Sequence, residues 1–128
     1  MFLAAGRHIE VFRQKAEAAG KPLPITINMG LDPAIYIGAC FEAPTTPFGY
    51  NELGVAGAVE LVQGVSVPEK AIARAEIVIE GELLPGVRVR EDQHTNSGHA
   101  MPEFPGYCGG ANPSLPVIKV KAVTMRNN

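Results

Sequence analysis

Three stretches of the chain alternate apolar and polar side chains with period two, the mark of strands with one buried face. Over residues 23–29, Leu23, Ile25, Ile27 and Met29 fall on one side; Pro24, Thr26 and Asn28 fall on the other. Alternation recurs from Ile77 to Leu84 and over Val87-Arg88-Val89-Arg90, and the intervening Pro85-Gly86 predicts a hairpin turn. The third stretch, Leu115 to Arg126, turns Ile118, Val120 and Ala122 inward and Lys119 and Lys121 outward. Shorter strand signals cover Val59 to Val62 and residues 65–74, the latter broken at Pro68. With 14 glycines and 11 prolines among 128 residues, turns are plentiful and a helical bundle is disfavoured.

Helical signals are few. Ile9, Phe12, Ala16 and Ala19 make an apolar stripe over residues 7–19, with Arg7, Glu10, Arg13 and Glu17 mostly off it. Gly20 and Pro22 supply the stop. Asp32-Pro33 reads as an N-cap and first helical position. The nearly all-apolar run from Ala34 to Cys40 predicts a short buried helix. Residues 43–51 form a loop before a helical turn from Glu52 to Ala58. Residues 93–114 show no periodicity and hold four glycines and three prolines. Such a loop inside a compact domain is usually functional. The resulting fold class is α+β, built on a mostly antiparallel sheet or a small, partly open barrel. The chain starts on a helix and ends on a strand, so both ends read as cuts inside a larger protein.

Charge and composition exclude several functions. A net charge of −2 gives no electrostatic footprint for nucleic acid or anionic membrane. No apolar run approaches the roughly 18 residues of a membrane span, and the N-terminus lacks a secretory signal. Two cysteines, Cys40 and Cys108, fit a reducing, cytoplasmic setting and read as small buried hydrophobes. No HExxH, CxxC, GxSxG or P-loop occurs.

Three residues combine the right type with a suggestive setting. His8, beside Arg7 at a helix start, is either a surface or capping histidine or an imidazole at a phosphate or metal site. Glu52, opening a helical turn, either complements the helix dipole or ligates a hard metal. Glu103 lies among Met101, Pro102, Phe104 and Pro105. It is either a plain loop glutamate or a carboxyl whose proton affinity is raised by desolvation, suited to general acid work.

Four motifs carry a resemblance: Met29-Gly-Leu-Asp-Pro-Ala-Ile-Tyr-Ile-Gly38, Pro47-Phe-Gly-Tyr-Asn-Glu-Leu-Gly54, Ile77-Val-Ile-Glu-Gly-Glu82 and Glu103-Phe-Pro-Gly-Tyr107. Together they resemble the UbiD-type decarboxylases, within that family the enzymes of protocatechuate-like hydroxybenzoic acids. The resemblance spans the whole chain and implies the central flavin-binding domain, residues 1–128, of a longer enzyme. It implies a split β-barrel like that of flavin reductases, with a few short helices. It implies prenylated FMN, a divalent metal (Mn²⁺ or Mg²⁺) with K⁺ as a further ion, a small aromatic acid substrate, and a homo-oligomer. By the same resemblance His8 and Glu52 hold the metal, and Arg7 and His8 contact the cofactor. Ala43, Pro44 and Thr45 lie against the flavin, and Glu103 is the proton donor. Many members carry another glutamate five residues before the donor; here that position is Gly98, with His99 beside it. The family's catalytic arginine and first metal ligand would precede this chain, and a cofactor-contacting lysine would follow it. An isolated domain of this kind would be inactive, and a rival expectation is a non-catalytic FMN-binding or structural split-barrel module.

Overall fold

The computed structural model describes residues 8–40, 59–101 and 106–127. Helix α1 (His8–Ala18) leads into strand β1 (Leu23–Met29), followed by helix α2 (Pro33–Cys40). Strands β2 (Leu61–Gln63), β3 (Lys70–Ile72), β4 (Ile77–Val89) and β5 (Leu115–Met125) complete the order. All strand pairs are antiparallel: one sheet runs β1-β4-β5 and a smaller one pairs β2 with β3. The described residues thus form an antiparallel α+β arrangement of two open sheets.

The helix stop is built as its residues suggest. Gly20, at φ 65°, takes the left-handed conformation that a residue with a Cβ resists. Its N–H donates to the Glu17 carbonyl at 2.9 Å, and the Lys21 N–H to the Ala16 carbonyl at 2.9 Å. These two bonds satisfy carbonyls that the helix end would otherwise leave open. At α2, Asp32 Oδ1 accepts from the Ala34 N–H at 2.8 Å, with Pro33 as the first helical residue.

The two faces of the central sheet do opposite jobs. Direct partners across the strands share a face, so Ile25, Ile27, Met29, Ile77 and Ile79 line one side. Thr26, Asn28, Val78 and Glu80 line the other. This second, more polar face is the seam to the small sheet. The Thr26 hydroxyl donates to the Lys70 carbonyl at 2.9 Å, and Asn28 Oδ1 accepts from the Ile72 N–H at 2.9 Å. Beside these bonds Val78 packs with Ala71 and Ala75, against Leu31.

Four local expectations need correction. Pro85-Gly86 does not reverse the chain: β4 runs through it, and Arg88 and Val89 pair with Pro116 and Leu115 in the β5 ladder. The pairing is interrupted between Leu83 and Arg88, so the dipeptide makes an irregularity inside one long strand. Second, Val120 is 53% exposed. Glu80 pairs with Ala122 but Gly81 with Val120, leaving Lys121 as an extra residue. That bulge shifts the register by one and places Val120 and Ala122 on opposite faces. Gly81 lets the strands close there, since a Cβ on it would lie 2.6 Å from the Lys119 carbonyl oxygen.

The third correction is α2, which is not buried: Tyr36 and Ile37 are 48% and 63% exposed. The helix is eight residues long, and the Tyr36 hydroxyl is held by the N–H groups of Gly30 and Leu31. The fourth is Cys108, which is a free, exposed thiol; Cys40's side chain lies outside what is described. The β2 and β3 signals do materialise as strands, each three residues long. Among the described residues no helix is long and apolar enough to cross a membrane.

Candidate functional site

His8 is the first residue of α1 and is half-buried. The way this helix sits was not legible as an apolar stripe. Phe12 and Val11 are exposed and Ile9 and Ala16 only half-buried, whereas Glu10 is buried and Arg13 and Glu17 are half-buried beside it. The Arg13 guanidinium takes Glu10 in a two-pronged contact, Nε to Oε2 at 2.7 Å and Nη2 to Oε1 at 2.6 Å, and also pairs with Glu17. Glu17 in turn reaches β4: its carboxylate accepts from the Gly86 N–H at 2.7 Å and from Arg88 Nη2 at 2.8 Å. Glu17 therefore exploits an amide at the strand irregularity. The Gly86 N–H and the Arg88 guanidinium hold its carboxyl below the ordinary range. Arg13 does the same for Glu10, against the opposing effect of burial. A chain of charges thus fixes the helix that presents His8.

The acidic residues of β4 and its end are the second organising group. Glu80 is 2% exposed on the seam face. Its carboxylate accepts from the Val65 N–H at 2.9 Å, and from the Ser66 N–H and hydroxyl at 2.7 Å each. Burial alone would push its carboxyl up, but these donors outweigh it and hold it below the usual range. At the strand's end, Glu91 and Asp92 organise the long loop. Asp92 accepts from the Gly98 N–H at 2.8 Å, and Arg90 Nη2 lies 2.9 Å from its Oδ1. Glu91 Oε1 accepts from the Met101 N–H and its Oε2 from the Asn112 N–H, both at 2.9 Å. Between these anchors the loop folds back on itself. Ala100 N–H donates to the Gly109 carbonyl at 2.9 Å and Ala111 N–H to the Gly98 carbonyl at 3.0 Å, around a His99–Gly110 bridge.

The loop is therefore a built stalk rather than aperiodic coil. Its sequence signal is the adjacent pair Glu91-Asp92 closing an alternating strand, which matches no catalytic spacing. Likewise Glu80, an acid on the inner face of a central strand, marked a buried carboxylate needing donors. His99 is exposed at the stalk, its N–H held by Ser97 Oγ at 3.2 Å. Of the other expected site residues, Arg7, Ala43, Pro44, Thr45, Glu52 and Glu103 lie outside the described residues, so the expected approach of His8 to Glu52 does too. Among the described residues no three His, Cys, Asp or Glu side chains gather around a common metal position.

The chain matches, over residues 1–128, the family described as "UbiD: 3-octaprenyl-4-hydroxybenzoate carboxy-lyase Rift-related domain". It belongs to the UbiD family. Gallate decarboxylase of Lactiplantibacillus plantarum is 63% identical over 131 residues, covering 98% of this chain and 27% of that protein. The apo crystal structure of Klebsiella pneumoniae 3,4-dihydroxybenzoic acid decarboxylase superposes with a TM-score of 0.90 at 95% identity, covering 99% of this chain and 27% of that one. An evolved dimeric form of HmfF from Pelotomaculum thermopropionicum, solved with prFMN, matches with a TM-score of 0.79 at 38% identity, over 98% of this chain and 28% of that one. The chain thus spans about a quarter of the length of these relatives.

Proposed function

We propose that this chain is the central flavin-binding domain of a non-oxidative decarboxylase of hydroxybenzoic acids, with protocatechuate-like substrates and prenylated FMN as cofactor. The observation that carries the reading is the 95% identity and TM-score of 0.90 with the Klebsiella 3,4-dihydroxybenzoic acid decarboxylase across 99% of the chain. The β1-β4-β5 sheet and the β2-β3 pair are read as parts of a split barrel, in a cytoplasmic homo-oligomer.

The side chains take the following roles in this reading. His8 and Glu52 hold a divalent ion. An imidazole, a carboxylate and the flavin phosphate make a donor set suited to Mn²⁺ or Mg²⁺, with K⁺ as a further ion. Arg7 contacts the cofactor beside His8, and Ala43, Pro44 and Thr45 lie against the flavin. The ionic line Glu10-Arg13-Glu17-Arg88 keeps the start of α1 in place for His8. The bound prenylated flavin supplies an electron sink as carbon dioxide leaves the substrate. Glu103 then delivers a proton to the ring carbon that carried the carboxylate. This role requires surroundings that disfavour the ionised form, so that the proton is present when needed; Met101, at 80% exposure, does not supply them.

Native mass spectrometry of the full-length enzyme tests this assignment. The expected result is an oligomer carrying one prenylated FMN and one divalent ion per subunit, with the ion lost in His8→Ala. An enzyme that retains its ion in His8→Ala, or takes up no flavin, contradicts the reading.

A further inference from the structure

We infer that Glu91 is a positioning residue for protonation: it sets the root of the loop that carries Glu103. The inference rests on the proposed role of Glu103, but its geometry stands on its own. The two oxygens of one carboxylate accept from Met101 and Asn112, residues eleven apart in sequence on the two sides of the stalk. The Glu91 N–H donates to the Asn112 carbonyl at 2.9 Å, so residue 112 is tied to residue 91 through backbone and side chain alike. In sequence Glu103 follows Met101 by two residues and precedes Asn112, so it lies between the two residues whose amides Glu91 holds.

The physical reason for a carboxylate here is its acceptor capacity. An ionised Glu has no donor of its own and can take one amide on each oxygen. The Asn112 and Met101 N–H groups hold its carboxyl below the ordinary range, against burial and the neighbouring Asp92 charge. It is therefore ionised at working pH and keeps both bonds. Asp92 closes the adjacent turn through Gly98, and Glu91 is the side chain that joins Met101 to Asn112, beside the backbone bonds Ala100–Gly109 and Ala111–Gly98. A donor reaching a single ring carbon must be placed within hydrogen-bond range, and small displacements of such a group cost large factors in rate.

The test uses the full-length holoenzyme with Glu91→Ala, Glu91→Gln and, as reference, Glu103→Gln. For Glu91→Ala, kcat on protocatechuate should fall roughly ten- to a hundredfold. KM and the absorbance of the bound prenylated flavin should stay at parental values. Amide hydrogen exchange at Met101 and Asn112 should speed up. Glu91→Gln keeps one acceptor oxygen, so it should recover part of kcat and protect one of the two amides; it also carries the test if the alanine variant fails to fold. Parental kcat in both Glu91 variants, alongside a disabled Glu103→Gln, overturns the inference while leaving the donor assignment standing. Parental turnover in Glu103→Gln overturns the donor assignment and this inference together.

Discussion

Replacing Glu103 with Gln in the full-length enzyme is expected to cut turnover by roughly a hundred- to ten-thousandfold, the range typical of a lost general acid. Cofactor binding should be nearly unchanged, because the substitution preserves size and shape. The argument is directional. An ionised glutamate has no proton to give, so the site must keep this carboxyl protonated until the ring carbon can accept. Desolvation is the physical means by which a site raises the proton affinity of a carboxyl in this way. A glutamine amide has no comparably acidic proton. Solvent hydrogen exchange into the ring of the decarboxylated product, measured for both proteins, reads the step itself. Exchange at the parental rate in the Gln variant would remove Glu103 as the donor and turn attention to His99.

The second large effect is on stability. Glu80→Ala should lower the unfolding free energy of the chain by about 3 kcal/mol, since it leaves the Val65 and Ser66 donors without their acceptor. Against the usual total of about 5–15 kcal/mol that is a large share. The loss also frees residues 65 and 66 from β4, while the Thr26 and Asn28 bonds to β3 remain. Its pH dependence has a definite sign. The folded carboxyl is held below its ordinary value of 4.5. Its contribution is therefore fully present above that value and is lost as the pH falls through the folded one. Urea midpoints at pH 7 and pH 4 check both points. Glu80→Ala should be weaker at pH 7, and the acid-induced drop should be smaller in Glu80→Gln than in the parent. An unchanged midpoint at pH 7 in Glu80→Ala would show that Val65 and Ser66 find other partners.

Period-two patterning was a reliable guide where one residue faces one partner. Residues 23–29 and 115–125 are strands, and β5 pairs antiparallel as its alternation implies. It failed at Val120 because a single extra residue at Lys121 reverses every facing assignment on one side of it. Pro85-Gly86 misled for a related reason. Such a dipeptide fits a turn and a strand irregularity equally well, and only the partner strand decides between them. The helix stripe failed differently. Of Ile9, Phe12, Ala16 and Ala19, Ile9 and Ala16 are half-buried but Phe12 and Ala19 are exposed, and the side turned to β4 carries Glu10, Arg13 and Glu17, because Arg88 and the Gly86 amide complete their bonding. Those two partners lie some seventy residues away in sequence, beyond any local pattern. The residues proposed for the site were read through motif resemblance. The carboxylates Glu80 and Glu91 were marked in the sequence only by their places on β4 and at its end; their partners are backbone amides that no side-chain pattern records.

The central claim is tested most directly by supplying the full-length protein with prenylated FMN, a divalent ion and protocatechuate, and measuring carbon dioxide released against catechol formed. The account predicts equal amounts of both with prenylated FMN, and none with plain FMN or with the 128-residue chain alone. Full cofactor and metal occupancy without release of carbon dioxide from protocatechuate, or release that proceeds equally on plain FMN, would contradict it.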